Sequence, residues 1–204
     1  MTLIAIIDYG VGNLGSVEKA MRFIGLKTCI TSELDTIRRA DAVVLPGVGA
    51  YSDAMMRLEK RGMVETVSEI VRQNRLFLGI CLGMQLLFET SEEGGNNVRG
   101  LGLFGGAIRG LPQDAGLKVP HMGWNSLQCT DSPLFKGLPE NPFVYFVHSF
   151  YLDAADKAIV AATCDYGVRF DAAISSGRIF ATQFHPEKSG DIGLDILKNW
   201  AAMI

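Results

Sequence analysis

The early part of the chain repeats one pattern three times: a short apolar run, a glycine-bearing turn, then apolar positions at helical spacing. Thr2 to Ile7 leads through Asp8-Tyr9-Gly10-Val11-Gly12-Asn13 into Leu14, Val17, Met21 and Ile24, and the periodicity stops at Gly25. Ala42 to Leu45 leads through Pro46-Gly47-Val48-Gly49 to Ser52, a residue type that caps helices, and helical periodicity continues through Val64, Val67 and Val71. Leu76 to Ile80 turns sharply at Cys81-Leu82-Gly83 into a helix predicted to carry Met84, Gln85, Leu86 and Phe88.

Strands that alternate with helices argue for parallel pairing, because each crossover returns the chain to the same sheet edge. Beyond Gly94 the texture changes. Short apolar or alternating segments such as Val144 to Phe146, Ala158 to Ala162 and Ile179 to Phe184 are separated by Gly, Pro and Asp turns, which predicts antiparallel or mixed strands. Ser189 to Ile204 carries Ile192, Ile196, Trp200 and Met203 at helical spacing and reads as a closing helix. The predicted fold is α/β over one domain, residues 1–204: a mostly parallel central sheet, helices on both faces and an added mixed or antiparallel strand region. In open α/β sheets ligands bind beyond the carboxyl ends of the strands, which is where all three glycine-bearing turns fall.

Composition narrows the function classes. Apolar residues make up 48% and charged residues 20% of 204 residues, an ordinary balance for a globular protein. A formal charge of −3, with both signs interleaved, offers no footprint for nucleic acid and no basic amphipathic face for a membrane. The opening apolar run is too short for a signal or spanning segment, so a cytoplasmic protein is expected. Cys29, Cys81, Cys129 and Cys164 are scattered without a Cys-x-x-Cys pair, which fits reduced thiols rather than a disulfide framework or zinc knuckle. Buried apolar packing suffices to explain three of them.

Cys81 differs. Gly79-Ile80-Cys81-Leu82-Gly83 has the form of a nucleophile elbow with Cys in place of Ser, exposing the side chain on a strained strand-to-helix turn. A helix N-terminus there would favour the thiolate. Alone, the motif serves equally as a buried Cys in a glycine-lined turn. A thiolate nucleophile needs a proton shuttle, and three histidines are available. His185, in Phe184-His185-Pro186-Glu187, ends an apolar strand; Pro186 holds it extended, and residues two apart in an extended chain share a side, so Glu187 can orient its ring. Neither residue is informative singly, but elbow, His-x-Glu and sheet together are. His121 and His148 have no acid at that spacing and suit structural or binding roles. A metal at His185 and Glu187 would lack further ligands at helical spacing. Acyl transfer also needs oxyanion donors, and the Leu82 N–H together with the Pro46-Gly47-Val48-Gly49 turn are placed to supply them.

These residues resemble a known family. Gly79-Ile80-Cys81-Leu82-Gly83-Met84-Gln85 with Phe184-His185-Pro186-Glu187 is similar to the triad glutamine amidotransferases. Asp8 to Asn13, Leu45 to Gly49, Pro120-His121-Met122-Gly123-Trp124-Asn125 and His148-Ser149-Phe150-Tyr151 resemble the glutaminase subunits of imidazole glycerol phosphate synthase. The resemblance implies hydrolysis of glutamine without a cofactor, and delivery of the ammonia to a (β/α)8-barrel cyclase subunit. It implies that the second oxyanion donor is the Val48 N–H and that Gly49, Gln85, Ser149 and Phe150 hold glutamine, while Glu93 meets its α-amino group. Many relatives have Tyr at Phe150, so a ring hydroxyl is missing here. The face carrying Asn13, Met122 and Trp124 is expected to dock on the barrel. Two other readings are a glutaminase serving a different synthase, and a non-catalytic redox-sensing module on the same fold.

Overall fold

The computed structural model describes residues 2–95, 98–113 and 116–204. Its strands are β1 (Ile4–Ile7), β2 (Thr28–Thr31), β3 (Ala42–Gly47), β4 (Leu76–Cys81), β5 (Phe88–Ser91), β6 (Val98–Arg99) and β7 (Phe104–Gly110), followed by β8 (His121–Ser126), β9 (Gln128–Cys129), β10 (Phe143–His148), β11 (Phe150–Ala154), β12 (Val160–Asp165), β13 (Arg169–Ser176) and β14 (Ile179–Thr182). The helices are α1 (Leu14–Phe23), α2 (Leu34–Arg39), α3 (Tyr51–Lys60), α4 (Met63–Arg72), α5 (Leu82–Gln85) and α6 (Gly190–Ala201).

The main sheet runs in the order β2-β1-β3-β4-β14-β13-β11-β7-β5-β6. Pairing is parallel from β2 across to β14, antiparallel from β14 to β7, parallel between β7 and β5, and antiparallel to β6. Strand β12 pairs with β13 and with β9. A separate antiparallel ribbon joins β8 and β10. This is the expected parallel sheet with a mixed extension.

Alternation along the parallel strands fills two cores. Ile4, Ile6, Val44, Leu78 and Ile80 face the layer of α1 and α6, where Trp200 is buried. Ala5, Ile7, Val43, Leu45 and Phe77 face the layer of α3 and α4. Both sheet faces are therefore covered, which explains why these strands read as continuous apolar runs.

Several sequence expectations are corrected. Strand β3 extends through Pro46 and Gly47, which the sequence pattern places in the turn, because both continue the parallel ladder opposite Ile80 and Cys81. Ser52 does not cap the next helix: α3 begins at Tyr51, and the Tyr51 N–H is satisfied instead by Glu93 Oε2 at 3.0 Å. The periodicity from Ser52 to Val71 is two helices, broken at Gly62, whose φ of +65° is left-handed. The helix after Cys81 is only four residues long, and Phe88 belongs to β5. Strand β2 and helix α2 carry too few apolar residues to stand out in the pattern; β2 is a half-buried edge strand.

Candidate active site

Strands β3, β4 and β14 are consecutive neighbours in the sheet, so the Pro46–Gly49 turn, Cys81 and His185 all emerge from the same carboxyl edge. Cys81 has φ 54° and ψ −111°, a conformation a non-glycine residue adopts only under strain, worth about 1–3 kcal/mol. Close packing enforces it. A Cβ on Gly83 would lie 1.8 Å from the Leu45 carbonyl oxygen, and one on Gly79 2.9 Å from the Gly83 carbonyl oxygen, so β3, β4 and α5 approach only because both are glycine. Gly47 is equally confined, 2.6 Å from the Tyr9 hydroxyl by the same construction, whereas Gly49 (φ +95°) has open space. Gly49 carries the left-handed φ of that turn, a conformation glycine adopts at no steric cost.

A pocket of ≈ 330 Å³ opens over Cys81. That is near the lower end of ligand sites, about 300–1,000 Å³, and suits a molecule the size of an amino acid. Its lining joins Cys81 and His185 with Val48, Leu82, Gly49, Gln85, Glu93, Ser149 and Phe150, so the predicted nucleophile, oxyanion and substrate residues converge on one cavity. Glu187 stands behind His185: its Oε1 accepts from His185 Nδ1 at 2.8 Å, and both side chains are almost wholly buried. The pairing does not arise from an extended chain, as the sequence suggested. His185 is extended, but Pro186–Lys188 is a 3-10 turn that folds Glu187 back toward the ring.

Burial alone pushes the His185 pKa down, yet the Cys81 sulfur and the Glu187 carboxylate outweigh it and hold the group up at about 9. His185 Nε2, the nitrogen left over from the Glu187 bond, makes no hydrogen bond among the described residues. The Cys81 contribution is therefore that of a nearby sulfur rather than of a formed bond. Glu93 is raised by burial and by nearby Asp53, opposed by the hydrogen bond from Tyr51.

His148, given no catalytic part in the sequence reading, lines the pocket. Its Nδ1 lies 2.9 Å from the Phe150 carbonyl oxygen, which can only accept, so the proton is on Nδ1. Nε2 then accepts from His121 Nδ1 at 3.0 Å, and His121 stacks on Tyr166 and Phe146. Burial lowers His121 to about 4 and His148 to about 3, so both are neutral near pH 7. Two further residues escaped the sequence reading. Gln183 is fully buried and points at Cys81, and the Tyr9 hydroxyl is buried beside Gly47 without a partner among the described residues. Burial, then the nearby Cys81 sulfur, raise the Tyr9 pKa. Neither had a motif to mark it.

Of the expected docking residues, Met122 and Trp124 share the outward face of β8 and are 62% and 55% exposed, so Trp124 is not a core residue. Opposite them Val147 and Tyr145 face outward on β10, and the Trp124 and Tyr145 rings meet edge to face at 6.1 Å. Asn13 is the N-cap of α1 and makes no side-chain capping bond. No cluster of metal-ligating groups occurs among the described residues. Nor is any helix there long and apolar enough to cross a membrane.

A strained cysteine at a strand end, a buried His–Glu pair and an amino-acid-sized pocket thus meet at the carboxyl edge of a parallel sheet. The chain belongs to the class-I glutamine amidotransferases, whose family profile matches residues 5–203. Within that class its relatives are "Imidazole glycerol phosphate synthase subunit HisH" of Caldanaerobacter subterraneus subsp. tengcongensis, 49% identical over 203 residues (99% of this chain, 98% of the relative), and of Thermosynechococcus vestitus, 49% identical over 204 residues (98% and 97%). That similarity places the chain in the HisH family. The fold is shared with more distant solved structures. PurLQS from Thermotoga maritima has a TM-score of 0.73 at 18% identity, covering 99% of this chain and 98% of that one. A glutamine amidotransferase from the same organism has a TM-score of 0.63 at 20% identity, covering 99% and 81%.

Proposed function

We propose that this chain hydrolyses glutamine through Cys81, His185 and Glu187 and hands the ammonia to a (β/α)8-barrel cyclase subunit, as expected of a glutaminase partner in imidazole glycerol phosphate formation on the route to histidine. The observation that carries the reading is the buried His185–Glu187 bond of 2.8 Å beside a strained Cys81 in a pocket of amino-acid size. A redox-sensing cysteine would have no use for a carboxylate locked behind the histidine.

The chemistry follows from the geometry. The Cys81 thiolate attacks the side-chain carbonyl carbon of glutamine, and the oxyanion forms against the N–H groups of Leu82 and Val48. His185, held protonated by Glu187, gives its proton to the departing nitrogen as the C–N bond breaks, leaving a γ-glutamyl thioester and ammonia. Water then adds, His185 takes its proton, and the C–S bond breaks to release glutamate and the thiolate. Glu93, at the pocket's rim, faces the substrate's α-amino group. Gln85 commits Nε2 to Phe150 O and Gln183 Oε1, leaving its own Oε1 to accept from substrate. The missing Phe150 hydroxyl leaves that side of the pocket to backbone groups and ring packing. The outward face of the β8–β10 ribbon, with Met122 and Trp124, docks on the barrel together with Asn13.

The deciding experiment measures glutamate release with and without the barrel partner. Cys81→Ala is expected to abolish glutamine use in the complex while product formation from free ammonium survives. Glutamate release at the wild-type rate by that variant would refute the assignment.

A further inference from the structure

Gln183 is a fully buried amide immediately after β14, in a core where an apolar side chain of similar size would avoid desolvating polar atoms. Its Nε2 donates to Cys81 Sγ at 3.6 Å, and its Oε1 accepts from Gln85 Nε2 at 2.9 Å. The direction of these bonds is not arbitrary. The Phe150 carbonyl oxygen can only accept, so the Gln85 atom 2.9 Å from it is the amide nitrogen. That same nitrogen faces Gln183, which must therefore turn its oxygen toward Gln85 and its N–H₂ toward the sulfur. A thiolate accepts such a bond well, since hydrogen bonds to charged groups are roughly twice as strong as neutral ones.

We propose that Gln183 is a catalytic residue for the hydrolysis read above: it donates a hydrogen bond to the Cys81 thiolate, and Gln85 sets its orientation from the glutamine pocket. The proton leaving the thiol goes to His185, and Gln183 itself neither gains nor loses one. Because Gln85 both lines the pocket and holds the Gln183 oxygen, a substrate contact at Gln85 is transmitted to the nucleophile through one shared amide.

The test follows alkylation of Cys81 by iodoacetamide, a neutral reagent, against pH, with the modified cysteine identified by mass spectrometry. The titratable groups around the sulfur are His185 with Glu187 behind it, Tyr9 beneath, and His148 and Glu93 across the pocket, all unaltered in the variants. Gln183→Met removes the donor at similar length, and Gln183→Leu removes it with a branched apolar side chain; neither brings a charge to the sulfur. Losing a hydrogen bond to a charged group corresponds to roughly tenfold or more, so the alkylation profile of both variants is expected to move to higher pH by about one unit or more, with kcat falling and KM for glutamine changing little. Profiles that overlay wild type, with only a lower melting temperature, would reduce Gln183 to packing and overturn the inference. Should Gln183→Met not fold, Gln183→Leu decides between the same outcomes. A failure of the nucleophile reading itself is separable, since it appears as glutaminase activity that survives Cys81→Ala.

Discussion

At the scale of single residues, His185 ties protonation to both stability and turnover. Its folded value of about 9 lies above the ordinary 6.5, because the gain from Cys81 and Glu187 exceeds the cost of burial. A group raised on folding contributes stability that is complete below pH about 6.5 and is lost as pH rises through about 9. Denaturant unfolding is therefore expected to show a stability decline between those limits that His185→Gln lacks, and the alkaline limb of kcat/KM is expected near pH 9. Because the Cys81 sulfur is one of the groups holding the proton, Cys81→Ala should lower the His185 titration midpoint in an NMR pH series. An unchanged midpoint would mean that Glu187 alone sustains it. The meeting of Cys81, His185 and Glu187 at one pocket was legible in the sequence, since an elbow and a His-x-Glu are short local motifs. The approach of Gln183 and Tyr9 to the site was not: each meets residues distant along the chain, and no spacing announces them.

At the scale of elements, glycines decide how near the backbone segments of the site can come. Helix α6 begins right after the Pro186–Lys188 turn, and a Cβ on Gly193 would lie 1.9 Å from the Pro186 carbonyl oxygen. The neighbour is backbone, so it cannot step aside as a flexible side chain would. Gly193→Ala is expected to destabilise the fold by about 1–3 kcal/mol and to disturb the His185–Glu187 bond, reducing kcat more than binding of glutamine. Urea melts and steady-state kinetics on the one variant would check both; wild-type kcat would show that α6 does not set the turn. Amphipathic periodicity exposed α1, α4 and α6 in the sequence, because each buries one face against the sheet. It failed where tertiary contacts override local pattern. Glu93 caps α3 from across the fold in place of Ser52, and β5 begins where the periodicity predicts helix because α5 ends after four residues.

At the scale of the whole molecule, a glutaminase that turned over without an ammonia acceptor would waste glutamine, so a switch that waits for the partner is expected. The β8–β10 ribbon connects an exposed face to the pocket. Its outward side carries Trp124, Tyr145 and Met122, while its inward side carries His121 and His148, the latter hydrogen-bonded to Phe150 O at the glutamine site. Docking on Trp124, an aromatic of the kind that anchors interfaces, would thus press on the same ribbon that lines the pocket. We propose the oxyanion turn as the bistable element: the peptide that carries the Val48 N–H joins Gly47 to Val48, so turning it changes the ψ of Gly47, which has no Cβ to oppose the change, and the φ of Val48, whose side chain is exposed. Before the barrel docks, the Val48 N–H is expected to point away, and binding of the barrel and its nucleotide to shift the population inward. Losing one oxyanion donor costs about a hundred- to a thousandfold in turnover, which sets the expected gap between basal and stimulated rates. Glutaminase turnover at saturating glutamine, measured for the free chain, then with the barrel, then with barrel and nucleotide, should rise across that range. Trp124→Ala should weaken complex formation or blunt the rise without altering the basal rate. If turnover never exceeds that of the free chain, the switch fails while the catalytic assignment stands; if Trp124→Ala titrates and stimulates as wild type, the barrel docks elsewhere.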